Sequence, residues 1–265
     1  SASRTKAYIE MDTQAGLTFS EMRLILDPPQ SGSWNMAADE MLLLAAQVNK
    51  QAVLRLYQWN PATLSLGYFQ SYEEAQKHEC TQQVPWLRRS TGGGALLHDQ
   101  ELTYSLIFPS QYLSSQQISH VYDLVHQSLI DTLLQFDIQA TTANATQTSG
   151  DQQDSFLCFQ RCSASDVLLN DFKIAGSAQR RYRNYVLQHG SVLTGQSVFT
   201  PELPGILELS SLNMNADILQ SAWVPNLQKL FDTVFIEKPL IDDEKRITTT
   251  IQESKFKADT WNMKR

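Results

Sequence analysis

The 265-residue chain carries 21 basic and 28 acidic side chains, a formal net charge of −7, and is 42% hydrophobic. That composition is ordinary for a globular protein with enough apolar material for a core, and its acidic balance argues against a nucleic-acid binder. No apolar run has the length of a membrane span and no charged-then-apolar leader is present, so a cytoplasmic protein without a membrane partner is expected.

Residues 1–20 are polar and read as a flexible lead-in, and 21–265 as a single domain. Met22 to Leu26 reads as a strand stopped by Asp27-Pro28-Pro29. Ser33 is the expected N-cap of a helix from Trp34 to Gln47. Val53 to Trp59 alternates apolar and polar residues like a half-buried strand, and Thr63 to Tyr68 follows as another. Tyr72 to Cys80 is a short helix. Trp86 to Arg89 leads into Gly92-Gly93-Gly94, Ala95 to His98 leaves it, and Leu102 to Phe108 is a strand. Ile118 to Phe136 is the clearest helix, with Val121, Val125, Leu129 and Leu133 on one face. Ala140 to Asp154 is polar and aperiodic, a mobile loop. Asp166 to Leu169, Lys173 to Ala178 and Tyr185 to Leu193 read as strands, with a hairpin turn at Asn170-Asp171. Beyond Thr200 the chain turns helical and ends in a charged tail.

The glycine triplet is the most informative stretch. Glycine lets a ligand approach the backbone closely, and Arg88-Arg89 can set positive charge at the rim of such a loop. A tight hairpin without a ligand is the plainer reading of an isolated triplet. The cysteines are Cys80, Cys158 and Cys162, an odd count that is no disulfide framework. Cys158 and Cys162 have no second pair at finger spacing, so no metal is expected. Arg161, Lys173, Arg180, Arg181 and Arg183 form a basic cluster that could face an acidic partner.

Three motifs, RRSTGGGALLHD, KIAGSAQRR and LQHGSVL, together resemble the biotin and lipoate protein ligase superfamily from about Leu24 to Leu193. Phe156-Leu157-Cys158-Phe159, upstream of Lys173, is similar to the segment found in its cysteine-dependent octanoyltransferases. Those enzymes commonly continue with a Pro-Ser segment, where this chain reads Gln160-Arg161-Cys162-Ser163. The resemblance implies an α+β fold, a mixed and largely antiparallel sheet flanked by helices. It implies transfer of octanoyl from acyl carrier protein to a lysine of a lipoyl domain or of the glycine-cleavage H protein, with no cofactor. Two alternatives share the motifs: a lipoate or octanoate ligase using ATP and Mg, and an amidotransferase between lipoyl-domain proteins. A non-catalytic binder on the same fold is a further class.

Under that resemblance Cys158 is the nucleophile of a thioester intermediate, helped by positive charge from Arg161 or Lys173. Without it, Cys158 reads as a small buried apolar residue, and Cys162 is a rival in the same loop. Lys173 is the second catalytic candidate, as a holder of the acyl carbonyl or, if burial lowers its pKa, as a base for the incoming amine. Its plainer reading is a solvated hairpin lysine beside Asp171. Substrate-binding candidates are Arg89, Ser90, Thr91, Gly92, Gly93, Gly94 and His98 in the first motif. Gly176, Ser177, Ala178, His189 and Gly190 come from the other two.

Overall fold

The alternating segments assemble into two sheets. The computed structural model describes residues 18–143 and 155–265, so most of the expected lead-in and of the 140–154 loop lies outside the described residues. The strands are β1 (Glu21–Leu26), β2 (Val53–Tyr57), β3 (Thr63–Leu66), β4 (Trp86–Arg88), β5 (Leu96–His98) and β6 (Glu101–Pro109). They continue with β7 (Thr141–Thr142), β8 (Val167–Leu169), β9 (Phe172–Tyr182), β10 (Tyr185–Leu193) and β11 (Val234–Glu237). The helices are α1 (Gly32–Asn49), α2 (Tyr72–Ala75), α3 (Glu79–Gln83), α4 (Ser115–Leu134), α5 (Ile206–Ser210), α6 (Ala216–Leu230), α7 (Asp242–Ile251) and α8 (Asp259–Asn262).

The large sheet runs β11-β1-β2-β6-β10-β9-β8-β7, and the small one β4-β3-β5. Only the β11-β1-β2 end of the large sheet is parallel. The expected mixed, largely antiparallel sheet flanked by helices is therefore present. Asn170 and Asp171, at φ 49° and 67°, make the tight turn between β8 and β9.

One face of the large sheet is apolar. Leu54, Leu56, Tyr104, Leu106, Phe108 and Val186 pack there with the α4 stripe of Val121, Val125, Leu129 and Leu133 and with Trp223 of α6. Each such side chain contributes about 1.5–3 kcal/mol by leaving water. The other face, toward α1, changes character row by row. Val53, Ile107 and Leu187 pair across the strands and are apolar. The next row is Arg55, Ser105, His189 and Ala178, and the one after it Tyr57, Thr103, Ser191 and Gly176.

Several sequence expectations are corrected. Ser31, whose hydroxyl accepts from Trp34 N, caps α1 in place of Ser33, which instead receives a hydrogen bond from Gln252. The helix expected over Tyr72 to Cys80 is two short ones, α2 and α3. β2 is buried on both faces, because its polar Arg55 points at α1 and not at solvent. Phe19 is buried against Phe231, so the packed chain begins before residue 20. The charged tail is α7, a π-helical turn at Gln252–Phe256, and α8, while β11 had no signal strong enough to mark it.

Arg55 joins α1 to the sheet. Its guanidinium bonds Asp27 at 2.6 Å, Asp39 at 2.9 Å and Asn35 Oδ1 at 2.8 Å, all in the interior. Asp39 also accepts from Tyr57 and Ser105. Burial pushes the Asp39 carboxyl up, but His189, Arg55 and Ser105 outweigh it and hold the group below its ordinary 3.8. Arg55→Met strands both carboxylates and should cost about 3–5 kcal/mol in a urea titration. Because Asp39 is depressed, its contribution is complete above about pH 4 and is lost as pH falls through its folded value. Asp39→Asn should therefore be less stable at pH 7 and lose less of its remaining stability between pH 5 and pH 3.

Candidate active site

Arg88 and Arg89 do not stand at a rim. Arg88 is buried and ties the carbonyls of Gly67, Tyr68 and Gln70 to that of Asn262 in α8. Arg89 is buried beneath the glycine loop. Its Nη2 donates to Gly92 O at 2.6 Å and Gly94 O at 2.7 Å, its Nη1 to Ser65 O and Oγ, and its Nε to Thr91 Oγ1. All five N–H donors are thereby used. Burial pushes Arg89 down to about 10, against the pull of Cys158, which leaves it cationic at neutral pH. The loop is no hairpin either, since β4 and β5 lie on opposite sides of β3.

The glycines meet two demands. Gly93 has φ +93°, a left-handed conformation that other residues resist. At Gly94 a Cβ would come within 3.0 Å of Cys158 N. That closeness lets Ala95 N donate to Phe156 O at 3.0 Å and Cys158 N donate to Ala95 O at 2.7 Å. The cysteine loop is thus stitched to the glycine loop, and Cys158 opens a single 3₁₀ turn over Cys158–Gln160.

Lys173 reaches this turn from the start of β9. Its Nζ is 3.7 Å from Cys158 Sγ and donates to Cys158 O at 3.3 Å and Arg161 O at 3.2 Å. It pairs with Asp166 at 2.7 Å and is only 6% exposed, so the solvated lysine beside Asp171 is not what the fold builds. Burial draws its pKa down, but Cys158 and Asp166 outweigh burial and raise it above its ordinary 10.5. That direction favours Lys173 as a holder of charge while Cys158 is a thiolate. Arg161 turns away, its Nε donating to Ser155 O. The rival Cys162 has its thiol pushed up by burial and then by Asp166, and Cys80 is buried in α3.

A pocket that is partly open to solvent, with about 490 Å³ of empty space counting that open part, lies beside Cys158 and Lys173. Arg89, Gly92, Gly93 and His98 line it from the glycine-loop side, and Gly176, Ser177, Ala178, His189 and Gly190 from β9 and β10. Ser90, Thr91 and Gly94 do not. Ser90 donates to Glu40, Thr91 links Arg89 to His189, and Gly94 backs the cysteine loop. His98 is held by Glu101 at 2.7 Å and by Ser65 at 2.8 Å, and burial lowers its pKa, so the ring is neutral. The basic cluster is dispersed: Arg180 pairs with Glu40, and Arg181 donates to Ser115.

Sequence reading missed Met36, Tyr57, Trp59, Thr103, Ser191 and Asp166. Only strand register could have flagged Tyr57, Thr103 and Ser191, as same-face partners of Gly176. Nothing local marks Asp166. It also missed Lys255, which the tail brings to Glu40 at 2.8 Å and to Ser90 at 3.2 Å.

Asp166→Asn removes one anion from Lys173, so the lysine pKa should fall. Acetic anhydride at pH 9 should then modify Lys173 about tenfold faster, read by peptide mass spectrometry. Arg89→Lys offers three donors for five acceptors. It should speed proteolysis within residues 90–95 and lower thermal stability by about 2–4 kcal/mol.

Comparison with known proteins agrees with this architecture. The family described as lipoyl protein ligase A/B catalytic domain matches residues 31–229. Octanoyltransferase LipM of Clostridioides difficile is 32% identical, covering 93% of this chain and all of that protein. Octanoyltransferase LipM of Anoxybacillus flavithermus is 30% identical over 89% of this chain and 95% of its own length. A bi-partite lipoate protein ligase from Thermoplasma acidophilum has the same fold, with a TM-score of 0.71 at 19% identity over 92% of this chain and 96% of that one. With the matched segment spanning the glycine loop, the cysteine turn and the lysine strand, the chain belongs to the lipoyl protein ligase A/B catalytic-domain family.

Proposed function

We propose that this chain is an octanoyltransferase of lipoate biosynthesis working through a thioester on Cys158. The observation that carries the reading is the Lys173 ammonium 3.7 Å from Cys158 Sγ, beside a pocket lined by the glycine loop, β9 and β10. The octanoyltransferase relatives support the same activity.

In the first step the Cys158 thiolate attacks the carbonyl carbon of octanoyl-acyl carrier protein. A carbon–sulfur bond forms to Cys158, the bond to the carrier breaks, and the carrier thiolate leaves and takes up a proton equivalent to the one the Cys158 thiol released on ionising. The Lys173 ammonium offsets the thiolate and donates to the carbonyl oxygen as negative charge develops there. One such preorganised donor contributes about 3–4 kcal/mol. In the second step the neutral amine of an acceptor lysine attacks the thioester. The amide forms, the bond to Cys158 breaks, and the proton released by the nitrogen restores the thiol. The acceptor is a lipoyl domain or the glycine-cleavage H protein. The Thermoplasma ligase, described with its E2 lipoyl domain, supports a protein acceptor. Bond exchange between a thioester, a thiol and an amine needs neither ATP nor metal.

Intact mass spectrometry after mixing with octanoyl-acyl carrier protein, without ATP, tests the reading. One octanoyl group should appear, be removed by hydroxylamine, and be absent from Cys158→Ser. Lys173→Met should load about 10²–10³-fold more slowly. Loading that needs ATP and free octanoate would replace the thioester reading with a ligase. Transfer only from an octanoylated H protein would replace it with an amidotransferase.

A further inference from the structure

Beside its apolar stripe, α4 carries a buried polar side chain that the proposed reaction does not use. His126 sets its Nδ1 against the Ser165 carbonyl oxygen, and its Nε2 lies 2.7 Å from Ser177 Oγ. A carbonyl oxygen only accepts, so Nδ1 carries the proton and Nε2 receives the Ser177 hydroxyl. Burial lowers the pKa of the ring against the pull of the Ser165 carbonyl and of Asp166, which agrees with that neutral form.

The groups behind Ser177 enforce the same direction. Gln179 Nε2 donates to Ile118 O of α4 and to Gln188 Oε1, each at 2.8 Å. Gln188 Nε2 donates to the Tyr104 hydroxyl at 2.7 Å, which leaves the Tyr104 proton for Ser177 Oγ at 2.6 Å. Ser177 then has its own proton for His126. The hydrogen bonds run one way, from β9 through β10 and β6 to α4, and end on Ser165 O. Gly190 leaves room for the Ser177 hydroxyl, because a Cβ there would collide with it.

Ser165 is held by α4 a second time. Its hydroxyl donates to Asp123 Oδ1 at 2.7 Å, one helical turn before His126. Two side chains of one helix thus grip its carbonyl and its hydroxyl. The next residue is Asp166, whose carboxylate accepts from Ser163 N at 2.7 Å and pairs with Lys173 Nζ at 2.7 Å. A shift of Ser165 is therefore passed through one peptide unit to the carboxylate that holds the lysine at the Cys158 sulfur.

We propose that His126 is a positioning residue of the site: with Asp123 it fixes Ser165, hence Asp166, hence the Lys173 ammonium beside Cys158. Ser177, Tyr104, Gln188 and Gln179 keep the proton on Nδ1, in the tautomer that can hold Ser165. The proposal rests on the thioester reading for the reaction that is served, but the grip on Asp166 and Lys173 does not.

Two substitutions separate the two ends of the ring. In His126→Asn an amide N–H stands where Nδ1 was and can still hold Ser165. In His126→Gln the amide stands where Nε2 was and holds Ser177 alone. Loading from octanoyl-acyl carrier protein at saturating donor, read by intact mass, should slow about tenfold in His126→Gln and stay within about threefold of wild type in His126→Asn. The donor concentration giving half the maximal rate should not move. A merely structural histidine would instead order the rates by thermal stability. Acetic anhydride at pH 9 reads the lysine without the thioester, and Lys173 should be modified about threefold faster in His126→Gln and at the wild-type rate in His126→Asn. Should wild type take up no octanoyl group, only the thioester reading falls and acetylation still decides. A His126→Gln protein with a wild-type circular dichroism spectrum and unchanged Lys173 acetylation overturns the proposal. Faster acetylation with unchanged loading, or equal loss of rate in both variants, also overturns it. Should the His126 variants fail to fold, Ser165→Ala decides, since it removes only the exposed bond to Asp123. It should speed Lys173 acetylation about twofold, and an unchanged rate overturns the proposal.

Discussion

The Arg89 guanidinium beneath the glycine loop is the constraint from which the site follows. A buried cation must find acceptors, and none of those around Arg89 is a carboxylate. It takes two loop carbonyls, a carbonyl and a hydroxyl of Ser65, and the Thr91 hydroxyl. These bonds fix the loop path, the loop path lets Gly94 press against Cys158, and Ala95 then holds the cysteine turn through two backbone bonds. The sulfur is thus placed by a buried cation acting through the loop backbone. Such support from behind the reacting groups is what holds reactive side chains to productive geometry.

The same logic continues into the core. Thr91 accepts from Arg89 and hydrogen-bonds His189, His189 lies 3.5 Å from Asp39, and Asp39 pairs with Arg55. One connected polar layer thus runs from the glycine loop to α1. It occupies a single row of the sheet, between the apolar row under α1 and the row that floors the pocket. A half-satisfied network of this kind would be worse than an apolar core. Here the cost is contained because nearly every donor finds a partner.

The charged groups at the site have separated roles. Glu40 is held below its ordinary pKa by Lys255 and Arg180 against the effect of burial, and it keeps those cations on the outer side of the glycine loop. Lys173 stands at the sulfur, with Asp166 behind it. The Glu40 pairs bring together residues distant in sequence, whereas Asp166 and Lys173 flank the β8–β9 hairpin. The C-terminal segment, which reads as a polar tail, supplies Lys255, Trp261 and Asn262 to the strand that leads into the glycine loop.

The sequence by itself determined the elements and the chemistry-bearing residues. The α4 stripe, the turn at Asn170-Asp171 and the triple glycine are local patterns, legible because backbone preference and periodicity are written in neighbouring residues, whereas Cys158 and Lys173 stand out only through the family resemblance. The tertiary structure decided what those patterns serve. That Arg89 lies under the loop, that Lys173 pairs with Asp166, and that β2 hides an arginine are matters of burial, which periodicity reads only as polar against apolar. The pocket floor depends on register among β2, β6, β10 and β9, and part of its lining on Trp59 stacking on His98. Neither is encoded within any one segment, because hydrogen bonds between strands distant in sequence set which residues share a row.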